Sequence, residues 1–194
     1  MAKVYLDTNV LGHWILLYEE PPDIQAKAEK LAKESLSLLQ QIKEDWFNCE
    51  LLTSKWAIAE LAQTLRDNLV AGKILRDGQS LVYFNKLKDY YLLDKEELKD
   101  HETYLINFKI LLDSLPVQVL PETFDEKQSQ LFVTKYGVDT SDAIHLAIAN
   151  AENAYMVTGD IRLTKLIEDV QEVKIIKPMG LHTIREVRKN LKKP

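Results

Sequence analysis

The sequence predicts an α/β protein in which helices cover a parallel sheet. Three observations carry this. Short apolar or β-branched runs recur at residues 4–6, 50–53, 117–120, 155–158 and 173–176, and long helical patterns separate them. Strand, helix, strand alternation joins parallel neighbours through crossovers. The 194 residues are 46% hydrophobic and 28% charged with only 6 Gly and 6 Pro, which is enough to bury a core and excludes collagen-like and disordered chains. One domain spanning residues 1–194 is expected from that length.

Each element follows from local pattern. The first strand, Val4 to Leu6, leads into a helix over 8–18, and Pro21-Pro22 separates it from a longer helix near 23–47. There Ile24, Ala28, Leu31, Ser35, Leu38, Ile42 and Trp46 recur at steps of three and four, which places them on one face. The strand over 50–53 runs into a helix that starts near Ser54 and stops at the turn Asp77-Gly78. Leu98, His101, Leu105, Phe108, Leu112 and Leu115 mark a helix over 95–114, ended by Pro116. After the strand at 117–120, the apolar run AIHLAIA marks a helix over 142–150, followed by strands at 155–158 and 173–176. The last ten residues carry five basic side chains against Glu186, which suits a solvated helix end or a phosphate-steering patch. No repeat or low-complexity tract is visible.

Charge and cysteine content narrow the function. Thirty acidic residues against 25 basic ones give a net charge of −5, so no global positive field gathers nucleic acid, and a polyanion must be held locally. The single Cys49 forms no intramolecular disulfide, and no Cys/His cluster has zinc-ligand spacing. The expected setting is the reducing cytoplasm. The first residues do not read as a signal peptide, and no apolar stretch approaches the ~20 residues of a membrane span.

Ligand sites of parallel α/β sheets lie beyond the carboxyl ends of the strands. The residues expected there are mostly acidic. Asp7 follows the first strand, Glu60 lies in the first two turns of the helix after the second, Asp142 opens the helix over 142–150, and Asp160 follows the strand at 155–158. Four converging carboxylates repel one another and must take up protons or a cation. Hard oxygen donors without Cys or clustered His select Mg²⁺ or Mn²⁺, and such an ion lets an acidic protein accept a phosphodiester. The implied reaction is metal-assisted hydrolysis, in which the ion lowers the pKa of an attacking water and polarises the phosphorus centre. Thr8, Asn9 and Thr158 offer hydroxyl or amide groups beside the carboxylates.

Taken singly, each residue has a structural use. Asp7, Asp160 and Thr158 suit helix caps, Glu60 a solvent-facing helix position, and Asp142 the charge that complements a helix dipole. His145, on the apolar face of AIHLAIA, reads as a satisfied packing residue. Trp14, Trp46 and Trp56 read as core residues rather than base-stacking platforms, and Trp14 lies near Asp7 in sequence. His13, His101 and His182 carry no motif. The coincidence of four carboxylates at strand ends is the signal.

In order and context these residues resemble the PIN-domain nucleases, including VapC-like ribonuclease toxins. The match consists of YLDTNVL, SKWAIAEL with Glu60, SDAIHLAIA with Asp142, and MVTGD with Asp160. The resemblance implies a three-layer α/β/α sandwich with a mostly parallel, roughly five-stranded sheet, with helical elaborations around 19–48 and 72–116. It implies a Mg²⁺- or Mn²⁺-dependent endoribonuclease in which Asp7, Glu60, Asp142 and Asp160 hold metal, with Asn9, Thr8 and Thr158 supporting. RNA as substrate, an antitoxin protein and a homodimer are the partners it implies, with the toxin of a type II toxin–antitoxin pair as one role. The competing reading is a catalytically inactive interaction module on the same fold, favoured by the long amphipathic helices. A phosphotransfer enzyme of haloacid-dehalogenase type also begins with an Asp after strand one, but it needs a second Asp two residues on, where this chain has Asn9.

Overall fold

In the computed structural model, the described residues are 3–16, 49–167, 170, 173 and 175–176. The helix expected over 23–47, the Pro21-Pro22 turn and the basic final stretch lie outside them. The described elements are β1 (Lys3–Leu6), α1 (Thr8–Leu16), β2 (Glu50–Ser54), α2 (Lys55–Arg76), α3 (Phe84–Leu87), α4 (Lys95–Asp113), β3 (Val117–Leu120), α5 (Glu126–Tyr136), α6 (Thr140–Ala151), β4 (Tyr155–Val157), α7 (Ile161–Leu166) and β5 (Ile175–Ile176).

All strand pairs are parallel, in the order β3-β2-β1-β4-β5. Four strands have three to five residues, and the fifth is a two-residue edge. β1 is central: Val4 pairs with Leu51 on one side and with Tyr155 on the other. A strand buried on both faces reads as a continuous apolar run, which is the character of VYL. Alternation sends Val4 and Leu6 to one core and Tyr5 to the other. The first core joins β1 to α1, α2 and α4 through Val10, Leu11, Leu61, Leu65, Phe108 and Leu112. The second joins it to α5, α6 and α7 through Phe132, Ala143, Leu146, Ala147 and Leu163. The result is the expected three-layer α/β/α arrangement.

Local chemistry sets the helix boundaries. Ser54 ends β2 and caps α2 by accepting from the Ala57 amide, so strand and helix join without a loop. Leu61 and Leu65 then recur at four-residue steps in the first core. Asp94 starts α4 with a capping box, in which its carboxylate takes the Glu96 and Glu97 amides while Glu97 reaches back to the Asp94 amide. α6 begins at Thr140, two residues before the expected start, with Asp139 at the N-cap position but making no side-chain capping bond. Among the described residues no helix is long and apolar enough to cross a membrane.

The chain winds outward from β1 through β2 to β3, then crosses to the other side of β1 for β4 and β5. The crevice beyond the carboxyl ends of β1 and β4 is therefore the point where strand order reverses, and ligands collect at such points.

Candidate functional site

Asp7 leaves the end of β1 and is buried, with 2% of its surface exposed. Its amide continues the ladder to the Val157 carbonyl, which ties the residue to the end of β4. One carboxylate oxygen accepts from the Thr8 amide at 2.7 Å, and the other from the Thr158 hydroxyl at 2.6 Å. Thr158 Oγ1 in turn accepts from the Asn9 side-chain amide at 3.1 Å and from the Asp160 amide at 3.0 Å, while Asn9 Oδ1 accepts from the Gly159 amide. Asn9 and Thr158 thus stitch the two strand ends together around Asp7. β4 stops at Val157, one residue earlier than expected, because Thr158 turns into this network.

Glu60 arrives from α2 and meets α6. Its Oε2 accepts from the Thr8 hydroxyl at 2.6 Å and from His145 Nε2 at 2.7 Å, and its Oε1 accepts from the Ser141 hydroxyl. Trp56 donates its indole N–H to Ser141 Oγ at 3.2 Å and packs against the second core, so it is a packing residue as expected. The other ring nitrogen of His145, Nδ1, lies 2.8 Å from the Tyr5 hydroxyl, which also bonds Ser54 Oγ at 2.7 Å. A buried chain of polar groups therefore runs from Glu60 through His145 and Tyr5 to the cap of α2.

The three acids in this cluster ionise differently. Burial pushes Asp7 up, against the pull of the His145 charge and of the bonds from Thr158 and Thr8. Burial also pushes Glu60 up, but hydrogen bonds from His145, Ser141 and Thr8 outweigh it and hold the carboxyl at about 2. Asp142, in the first turn of α6, has no side-chain donor among the described residues; burial, then the Asp7 and Asp160 charges, raises it to about 7. Burial disfavours the charged form of His145, yet its bond to Glu60 and the surrounding carboxylates raise its pKa. His145 faces both Glu60 and Asp7, so the acids of the cluster share a single basic partner.

Ligand atoms of Asp7, Glu60 and His145 lie within 4.8 Å of one another. With Asp142 adjoining, this donor set of hard oxygens and uncompensated negative charge fits a divalent cation. His145 acts here as a counter-charge, because Nε2 points at Glu60 and lies 3.5 Å from Asp7 Oδ1. Asp160 sits at the edge of the cluster, where one oxygen caps α7 through the Arg162 and Leu163 amides and its charge reaches Asp142. The cap foreseen for Asp160 is present.

The sequence reading undervalued two residues. His145 is buried and satisfied, as a packing histidine is, but its partners belong to the site. Ser141, within SDAIHLAIA, carried no assigned role in the sequence. A signal existed, since Ser141, Asp142 and His145 fall on one arc of a helix. His101 instead bonds the Ala62 carbonyl, joining α4 to α2. The side chains of His13 and Trp14, and all of His182 and Trp46, lie outside the described residues.

The sequence profile of the PIN domain matches residues 4–168, which is most of the chain and contains every residue of this cluster. The chain belongs to the PIN domain family. Two solved chains are similar to it at low sequence identity. One is a chain of VapBC2 from Rickettsia felis, 15% identical, with a TM-score of 0.50 over 90% of this chain and 98% of that one. Another is a chain of FitAcB from Neisseria gonorrhoeae, 16% identical, with a TM-score of 0.49 over 89% of this chain and 95% of that one. No curated protein matches by sequence. For this PIN domain, the match places Asp7 and Asp160 near the two ends of the family region, with Glu60 and Asp142 between them.

Proposed function

We propose that this PIN protein is a Mg²⁺- or Mn²⁺-dependent endoribonuclease that hydrolyses RNA phosphodiester bonds. The observation that carries the reading is the crowding of acids at the end of β1, where buried Asp7, Glu60 and half-buried Asp142 share one facing base, His145, at 2.7 Å from Glu60 and 3.5 Å from Asp7. PIN domains are generally nucleases, which agrees with it. Asp7, Glu60, Asp142 and Asp160 would hold the ion. When bound, it supplies a lowered pKa for an attacking water and charge stabilisation at phosphorus.

The chain's own residues provide preorganisation. Thr8 and Thr158 fix both oxygens of Asp7, and Thr8, Ser141 and His145 fix Glu60, so neither carboxylate must reorient as charge develops on the phosphate. Asp142 Oδ, titrating at about 7, is the group that releases its proton when a cation is taken up and that can accept one near neutral pH.

We read the biological role as the toxin half of a toxin–antitoxin pair acting in the cytoplasm, with an antitoxin and a second copy of the chain as protein partners. The shared fold with the VapBC2 chain supports that role. The test is cleavage of labelled structured RNAs by purified protein with Mn²⁺, Mg²⁺ or EDTA, beside Asp7→Asn and Asp142→Asn. Discrete cuts that need metal and vanish in both variants, with circular dichroism unchanged, are expected. Full cleavage by both variants would overturn the assignment. No Mn²⁺ binding by calorimetry, together with a stable protein complex, would favour an inactive interaction module.

A further inference from the structure

An acidic centre repels the phosphates on either side of the bond it cuts, so a chain of net charge −5 must hold those phosphates with cations placed locally. Two basic residues lie at helix starts beside strand ends on either side of Asp7. Lys55 is the first residue of α2, directly after β2, and Arg162 is the second residue of α7, directly after the turn that follows β4. Because β2 and β4 pair with opposite sides of β1, these residues flank the strand end at Asp7. The flanking strands lie about 10 Å apart, two strand spacings.

Both cations are weakly engaged. Lys55 Nζ is 3.6 Å from Glu122 Oε1, with the two side chains 59% and 73% exposed. Arg162 Nη1 is 3.3 Å from Asp139 Oδ2, at 71% and 66% exposed. Ion pairs this exposed contribute little, and their carboxylates return to water readily. Asp139 is the N-cap of α6, so Arg162 pairs with the start of the helix whose first turn carries Ser141 and Asp142. A guanidinium there can exchange a single carboxylate oxygen for the paired oxygens of a phosphate.

We propose that Lys55 and Arg162 are phosphate anchors that grip single-stranded RNA on either side of the bond presented to Asp7, each releasing its resident carboxylate, Glu122 or Asp139, as it does so. This rests on the nuclease reading. Such contacts position the backbone and carry no base information, so the grip is tolerant of sequence, and selection among RNAs falls to other parts of the surface.

The test is binding of a short fluorescein-labelled single-stranded RNA, followed by anisotropy between about 50 and 200 mM salt, in an Asp7→Asn background that does not cut it. Lys55→Ala and Arg162→Ala should each reduce the slope of log K against log[salt] by about 0.7, and the double variant by about twice that. Arg162→Lys should keep the slope, as should Lys109→Ala on the exposed side of α4. Asp139→Asn, which frees Arg162, should tighten binding, a change that loss of folding does not produce. A parent slope preserved in both alanine variants would overturn the anchors and leave the nuclease standing. Unsubstituted protein that cuts no RNA, together with an Asp7→Asn background that shows no salt-dependent binding, would remove the nuclease reading, and the anchors with it.

Discussion

Glu60 and Asp142 belong to one cluster and ionise at opposite ends of the carboxylate range, about 2 and about 7. Donors account for the difference: burial acts on both, but only Glu60 has His145, Ser141 and Thr8 to offset it. The linkage signs are therefore opposite. Glu60 contributes stability above its usual pKa of 4.5 that is lost as pH falls towards 2. Asp142 penalises the folded state increasingly as pH rises from 3.8 through about 7, because folding favours its protonated form. Asp142→Asn should accordingly raise stability at pH 8 by on the order of 1 kcal/mol, a figure discounted for its partial exposure, and change little near pH 4. Thermal melts at the two pH values check this, and a lower melting temperature at pH 8 would contradict it. Asp7, Glu60 and Asp142 were legible in the sequence as carboxylates at strand ends. His145 was not, because its neighbours Ala143, Ile144, Leu146 and Ala147 are those of a core residue.

At the scale of elements, the boundaries follow caps more closely than hydrophobic runs. α5 ends at Gly137, whose φ of 67° lets its amide reach the Val133 carbonyl and the Val138 amide reach that of Phe132. A Cβ there would meet nothing within 4 Å, so Gly137→Ala tests backbone conformation alone. The expected cost is about 1 kcal/mol by urea denaturation, with an unchanged m-value. A neutral result would mean that the αL geometry is not what ends the helix. The strand at 117–120 and the helix starting near Lys95 were legible because periodicity and a cap agree there. At α6 the helix starts at Thr140, ahead of the apolar run that begins after Asp142, and no side-chain cap bond marks the start.

At the scale of the whole molecule, two apolar cores on opposite faces of the sheet hold the fold, and the site adds one carboxylate–imidazolium pair that is balanced internally. Metal is thus required by the proposed chemistry and not by the fold. EDTA should abolish cleavage while leaving the far-ultraviolet circular dichroism and melting temperature of the metal-free protein unchanged. Mn²⁺ at a hundred times its Kd should add about 2.7 kcal/mol of stability. Unfolding in EDTA would show that His145 does not balance the site.

The sequence by itself determined the class of fold, the parallel sheet and the carboxylates at its edge, because strand runs, crossovers and residues at strand ends are local patterns. The tertiary structure decided which of those carboxylates stays charged. Asp7 lies between β1 and β4 only because strand order reverses there, and Glu60 meets His145 only because α2 and α6, covering different cores, converge at that same edge. Ionisation depends on burial and on donors brought in from up to 151 positions away in the chain, and no local pattern encodes that.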